Sequence, residues 1–168
     1  MQTSNIEIER KFLVPHFDIE SIQKTDPKLS YQYLRDISQY YLLSNELSSV
    51  RVRTYTKGMD SVFLMTIKEK VEGSFSNKET EFPISKTTFL ELKKQAISKI
   101  SKIRYVFEDK ETGLLWEIDN FQKSKKGSFI MAEVELPAEN YPYETPTFVG
   151  QEVTDNPEYD NQNLALKI

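Results

Sequence analysis

The segment Ile6-Glu7-Ile8-Glu9-Arg10-Lys11-Phe12-Leu13-Val14, IEIERKFLV, sets charge against carbon at alternate positions. Successive side chains of a β-strand point to opposite faces. Glu7, Glu9 and Lys11 therefore share one face, and Ile6, Ile8, Phe12 and Val14 share the other. A surface strand of a sheet with one wet face reads the same way. One strand cannot separate the two meanings, so the pattern has to be followed along the chain.

Turn signals and β-rich runs predict strands near 5–14, 37–44, 48–57, 61–70, 75–84, 99–109, 113–122 and 127–137. Helical pattern is expected near 18–24 and at 86–97, where Ser85 stands at the capping position, and a short helix is expected around 157–166. The face assignment then repeats. Arg51 and Arg53 oppose Val50 and Val52; Lys68 shares a face with Thr66 against Phe63, Met65 and Ile67. Glu79 and Glu81 oppose Phe82 and Ile84, and Lys102 and Arg104 oppose Ile103, Tyr105 and Phe107. Glu117 and Asp119 oppose Trp116 and Ile118, and Glu133 and Glu135 oppose Ala132, Val134 and Leu136.

Acid pairs and basic pairs are thus segregated strand by strand, whereas ordinary wet faces mix Thr, Ser, Gln and Lys. The pattern alone leaves open whether this face is solvated or functional. Closure offers a sharper account: eight antiparallel strands can form a barrel whose lumen holds side chains or one small ligand. The expected fold is α+β, mainly β, a single domain over 1–168 built as an eight-stranded antiparallel closed β-barrel with flanking helices. Charges buried in such a lumen are costly unless they pair or bind ions. A ligand that is both polyanionic and metal-bound suits it, with cations gripping phosphates and carboxylates holding the divalent ions.

Composition narrows the remaining options. At 168 residues with 38% hydrophobic content the chain supports one core. A net charge of −4 does not suggest a nucleic-acid partner. The absence of cysteine excludes disulfides, thiolate metal sites and a cysteine nucleophile. The single histidine, His16, follows Pro15 in a loop-like stretch, where a histidine is usually solvated. No G-x-x-x-x-G-K-[S/T] phosphate loop occurs, so phosphate chemistry would rest on side chains. No apolar run approaches a membrane span and no signal-peptide core is present, so a cytoplasmic location is expected.

The segment EIERK (residues 7–11) resembles the E-x-E-x-K signature of the CYTH superfamily, the triphosphate tunnel metalloenzymes. Further similarity runs through Gln39-Tyr40-Tyr41-Leu42, Arg51-Val52-Arg53, Thr66-Ile67-Lys68, Glu79-Thr80-Glu81 and Lys102-Ile103-Arg104-Tyr105. It continues in Trp116-Glu117-Ile118-Asp119, Ala132-Glu133-Val134-Glu135-Leu136, residues 150–154 and residues 159–165. Each match is weak alone; together, in order and over nearly the whole length, they are specific. The opening looks most like the bacterial inorganic triphosphatase group. Tyr40 departs from the glycine of many relatives, and because it faces away from Tyr41 the expected consequence is confined to packing.

The resemblance implies hydrolysis of inorganic triphosphate, or a related triphosphate, with Mg²⁺ or Mn²⁺. Glu7, Glu9, Glu133 and Glu135 are similar to the family's metal-binding glutamates, and Glu81 and Asp119 look like ligands of a second ion or of its water. Arg51, Arg53, Lys68 and Arg104 would bind phosphate oxygens. Lys11 resembles the lysine implicated in activating water, and Tyr41 and Lys102 are expected as a polar pair that steers substrate choice. Glu79 and Glu117 are weaker ligand candidates. Two other functions compete: a class IV-type adenylyl cyclase making cyclic AMP from ATP, and a non-catalytic polyphosphate-binding module. The cyclase needs a nucleoside pocket that no segment clearly supplies, although Tyr31, Tyr33 and Phe148 lie in loop-like stretches. The expected partner is a small-molecule triphosphate, with no nucleic acid and no membrane; the oligomeric state is open, a homodimer being one option.

Overall fold

The computed structural model describes residues 3–74 and 76–168. Ten strands form one antiparallel sheet: β1 (Thr3–Glu7), β2 (Glu9–Leu13), β3 (Leu29–Ser44), β4 (Ser48–Lys57), β5 (Asp60–Lys70), β6 (Asn77–Pro83), β7 (Ser98–Asp109), β8 (Leu115–Lys123), β9 (Phe129–Glu135) and β10 (Leu166–Lys167). The helices are α1 (Ile19–Thr25), α2 (Lys86–Lys93) and α3 (Asn161–Leu164). The strand order is β1-β6-β5-β4-β3-β7-β8-β9-β2, with β10 on β7. The two ends of that path, β1 and β2, are consecutive pieces of one chain segment interrupted at Ile8. This is how the barrel closes: Glu7 lies opposite Asn77 on one edge, and Glu9 lies opposite Glu135 on the other. The single strand expected over 5–14 is therefore two short strands, and eight staves become ten labelled pieces.

Carbon on the outer face is covered in two patches. Helix α2 lays Phe89 against Tyr40 and Val52, with Phe63, Met65 and Leu92 beside them. Its cap is Ser85, whose side chain accepts from the Thr88 amide at 3.0 Å, as the sequence predicts. The helix stops at Lys93 instead of running to 97, because the Ile97 amide donates to the Tyr41 carbonyl at 2.8 Å and the chain enters β7. On the opposite side, Phe12, Phe107, Trp116, Ile118 and Val134 pack beneath Ile22 of α1, with Tyr141, Tyr143 and Phe148 against them. Phe148 thus belongs to an outer core.

A third cluster sits inside the barrel. Leu13, Tyr41, Ile100, Phe121 and Met131 face inward at one end and meet Val153, Tyr159, Leu164 and Ala165 of the C-terminal segment. That segment plugs the lumen. The short helix expected over 157–166 is a 3₁₀ turn (Pro157–Tyr159), α3 and then β10. Strand β3 begins at Leu29, eight residues before the predicted start, and runs along β7 from Leu29 opposite Asp109 to Tyr41 opposite Ser98. Tyr31 and Tyr33, expected in loop-like stretches, are strand residues. The strand expected from 75 begins at Asn77, and Phe75 lies outside the described residues. Lys57-Gly58-Met59-Asp60 turns β4 into β5 with positive φ at Gly58 only, the first central position, where glycine suits a type II′ hairpin. Among the described residues no helix is long and apolar enough to cross a membrane.

Candidate active site

Period-two alternation delivers the charged faces to the lumen, and the ion pairs trace it. Lys68 on β5 reaches back to the first strand, pairing with Glu7 and, at 3.5 Å, with Glu9. Lys11 pairs with Glu9 at 3.1 Å. Across β4 and β6, Arg51 faces Glu79 at 3.7 Å and Arg53 meets Glu81 at 2.8 Å, while the Thr66 hydroxyl donates to Glu81 at 2.9 Å. On the other wall Arg104 is the hub. Its Nε and Nη2 donate to the two Asp119 oxygens at 2.6 and 2.7 Å, its Nη2 also donates to Glu133 at 2.8 Å, and Nη1 pairs with Glu117. Lys102 pairs with Asp119, which is fully buried. Glu135 is more exposed and beyond this network, yet its pKa is raised, first by the partial burial of its carboxyl and then by the charges of Glu117, Glu79 and Glu9.

The structure thus brings together the carboxylates Glu7, Glu9, Glu79, Glu81, Glu117, Asp119, Glu133 and Glu135 with the cations Lys11, Arg51, Arg53, Lys68, Lys102 and Arg104. Two expectations need correction. Tyr41 and Lys102 do not form the expected polar pair. Tyr41 stands opposite Arg51 in the β3–β4 register, while Lys102 is drawn to Asp119 and to Asn161 Oδ1 at 3.2 Å. Lys11 does not fit a neutral amine base either. Burial would lower its pKa, but Glu9, Asp160 and Glu133 outweigh burial and raise it, so Lys11 is a fixed cation. Lys102 goes the other way, pushed down by burial and by Arg104.

Two residues of this site escaped the sequence reading. Asp160 accepts from Lys11 Nζ at 2.6 Å, and Asn161 accepts from Lys102. Both come from the C-terminal plug, which has no alternation to reveal it; the available signals were the helix expected there and the family similarity over residues 159–165. Beside them a cavity of about 290 Å³ opens between Lys70, Ser74, Ser76 and Asn77 on one side and the C-terminal segment on the other, and reaches Glu9, Lys11 and Asp160.

Does this lining fit a divalent cation? All candidate donors are hard oxygens, which Mg²⁺ and Mn²⁺ prefer. The eight acids and six bases named above differ by two negative charges. Glu133 Oε1 is buried with no hydrogen-bond partner. Among the described residues, however, no three acidic side chains converge as a ready-made ion site, because the lumen carboxylates other than Glu135 are turned toward lysines and arginines. The donor chemistry fits; coordination requires those cations to be drawn off first.

Burial and the charge of Glu9 push Glu7 up to about 7, against the pull of Lys68. Glu9 is also buried, but Lys11 and Lys68 outweigh burial and hold it well below the usual carboxylate range. The two carboxylates share one surrounding, and Glu9 takes the charge. Between the ordinary glutamate value near 4.3 and about 7, the folded protein keeps a Glu7 proton that the unfolded chain has lost. The folded state binds more protons, so stability falls as pH rises through this window and the penalty is complete above about 7. In a chelator-treated sample the expected result is a melting temperature that declines across this range, and a smaller decline in Glu7→Gln. Equal slopes for the two proteins would show that Glu7 carries no such proton.

Fold and lining define a class: antiparallel β-barrels whose interior is, for most of its length, a channel of paired charges. Within that class the chain belongs to the CYTH domain family, which it matches over residues 5–164. It is 34% identical over 161 residues to an inorganic triphosphatase of Acetivibrio thermocellus, covering 95% of this chain and 92% of that protein. It is 30% identical over 165 residues to an inorganic triphosphatase of Nitrosomonas europaea, covering 96% and 98%. Among solved structures it resembles the hypothetical protein NE1496, with TM-score 0.61 and 30% identity over 96% of this chain and 99% of that one. The PH1819 protein of Pyrococcus horikoshii OT3 shares the fold at TM-score 0.59 and 17% identity, over 80% of each chain.

Proposed function

We propose that this protein hydrolyses inorganic triphosphate to pyrophosphate and orthophosphate with the help of Mg²⁺ or Mn²⁺. The observation that carries this reading is a set of unsatisfied groups inside the barrel. The Nε donors of Arg51 and Arg53 are buried without an acceptor, and Glu133 Oε1 is buried without a donor. Leaving such a group unpaired costs about 1–3 kcal/mol. The donors call for an anion and the acceptor for a cation, and a metal-bound phosphate chain brings both. Two relatives named inorganic triphosphatase support the same class of substrate.

The chain's own residues then have definable work. Phosphate oxygens would take over Arg51, Arg53, Lys68 and Arg104, the arginines through their planar forks. That exchange releases the carboxylates those cations now hold. Glu7, Glu9, Glu133 and Glu135, with Glu81 and Asp119, would hold the divalent ion, which neutralises phosphate charge and helps to orient the chain. Phosphoryl transfer needs positioning and electrostatics more than covalent chemistry from the protein. Lys11, kept charged by Glu9 and Asp160, stabilises negative charge on the transferring phosphate. Lys102, whose proton burial and Arg104 make easier to lose, sits with Asp119 as the pair to orient the attacking water. A cytoplasmic location belongs to the same proposal.

The test offers purified protein triphosphate, thiamine triphosphate and ATP with either metal and identifies every product. Lumen charges recognise a bare triphosphate without any base or sugar contact, whereas ATP must find room for its adenosine. The expected kcat/KM for triphosphate exceeds that for ATP by at least about a hundredfold, roughly 2.7 kcal/mol of discrimination. Cyclic AMP and pyrophosphate as the main products from ATP, at comparable efficiency, would transfer the assignment to the cyclase reading.

A further inference from the structure

Gln39 is the uncharged side chain among the orphaned lumen groups. It is 2% exposed, and among the described residues its Oε1 is buried with no hydrogen-bond donor. Alternation along β3 puts it on the same face as Tyr41, inside the barrel. Its neighbour on β7 is Ile100, which offers only carbon, and its neighbour on β4 is Arg53. Arg53 carries the matching defect: its Nε is buried with no acceptor. Side chains directly opposite on paired strands have Cβ atoms about 4.5–5.5 Å apart, a gap that a glutamine and an arginine together span. An unpaired acceptor therefore stands beside an unpaired donor, and the two are not joined.

What keeps them apart is Glu81. Arg53 is turned toward β6, where its Nη2 lies 2.8 Å from Glu81 Oε2 and 3.1 Å from Oε1. The Thr66 hydroxyl donates to the same carboxylate at 2.9 Å. An anion that draws the Nη atoms of Arg53 away therefore leaves Glu81 still held by Thr66. The guanidinium is a rigid fork of five N–H donors and turns as a unit, so its Nε then needs an acceptor from the wall. We infer that Gln39 is a positioning residue for Arg53: with substrate bound, Gln39 Oε1 accepts from Arg53 Nε and sets both Nη atoms end-on to the phosphate oxygens. Arg51, whose Nε is likewise orphaned, stands opposite Tyr41 and Thr66 instead. The inference rests on the phosphate-chain reading above and adds a residue outside its set of ligands and cations.

The test is a four-protein cycle of wild type, Gln39→Met, Arg53→Lys and the double variant. Gln39→Met keeps the bulk and removes the amide; Arg53→Lys keeps the charge and removes Nε. Each protein is titrated with inorganic triphosphate by calorimetry without metal, assayed for its hydrolysis with metal, and unfolded in urea. Gln39→Met is expected to weaken triphosphate binding about tenfold, with the loss in KM and kcat within about twofold of wild type. In the Arg53→Lys background the same substitution should change binding less than about twofold. Because Oε1 has no donor to lose, the urea midpoint of Gln39→Met should be unchanged or higher. Unchanged triphosphate binding in Gln39→Met overturns the inference. An equal loss in both backgrounds also overturns it, by assigning the amide to Arg51 or to packing. A lowered midpoint or failure to fold does the same, by showing the amide bonded before substrate arrives. If wild type binds triphosphate without hydrolysing it, the hydrolase reading falls alone and the calorimetric cycle still decides the role of Gln39; if wild type binds none, both fall.

Discussion

Glu9→Gln is expected to lower kcat/KM for triphosphate at least about a thousandfold, near 4 kcal/mol of transition-state stabilisation, while the protein keeps its cooperative unfolding. Glu9 stands where several functions meet: it pairs with both Lys11 and Lys68, and its pKa is held low, so it is the reliably ionised member of the Glu7–Glu9 pair. An amide is a poor ligand for a hard cation and leaves two lysines facing each other with one carboxylate fewer. Glu7 and Asp160 still accept from those lysines, which is why the fold should persist. The measurement is a metal titration of turnover alongside urea unfolding. Wild-type turnover at every metal concentration would remove Glu9 from the ligand set; loss of folding would make its role structural.

What could be read in advance follows from what imposes each feature. A strand's period of two is covalent geometry, so Arg51 with Arg53, Glu117 with Asp119 and Glu133 with Glu135 could be assigned to one face without knowing the fold. Which face turned inward the charge segregation left open; closure into a lumen was the account that gave the segregation a use, and the family resemblance pointed the same way. Features set by tertiary contact left no such mark. The interruption at Ile8 exists because one strand must serve both edges of the ring, with Ile8 turned to the outer core. Asp160 and Asn161 reach the lysines only because Leu164, Ala165 and Val153 bury themselves in the barrel's end. Residues 29–36 alternate tyrosine with polar residues and stay mostly exposed, so the first half of β3 resembled a loop until β7 was seen to pair with it. Tyr41 was assigned to the lumen, but its partner depends on the β3–β4 register, which places it on Arg51.

Arg104→Ala is expected to be the most destabilising single change in the lumen, costing about 3–5 kcal/mol. The guanidinium is the common partner of Asp119, Glu117 and Glu133, and Asp119 and Glu133 are buried. Removing it leaves Asp119 with Lys102 alone and takes away the direct ion pair of Glu133, on which Lys102 and Lys11 then act only at longer range, so the cost is mainly that of buried charge poorly compensated. Glu133 already leans toward its neutral form through burial, and in the variant it should take up a proton, limiting the loss. Arg104→Met, which keeps the side chain's bulk, separates the charge from the packing and should cost nearly as much. Adding Asp119→Asn to Arg104→Met removes one stranded acid, so the double variant should be more stable than the sum of the two single losses predicts, by about 1–3 kcal/mol. Urea unfolding of the four proteins measures the cycle, with unchanged m-values as the sign that folded and unfolded states are otherwise comparable. A loss below about 1 kcal/mol for Arg104→Ala would mean that water reaches these carboxylates readily, and the lumen would then be a solvated face closed into a ring, without the buried charge on which its selectivity for a phosphate chain depends.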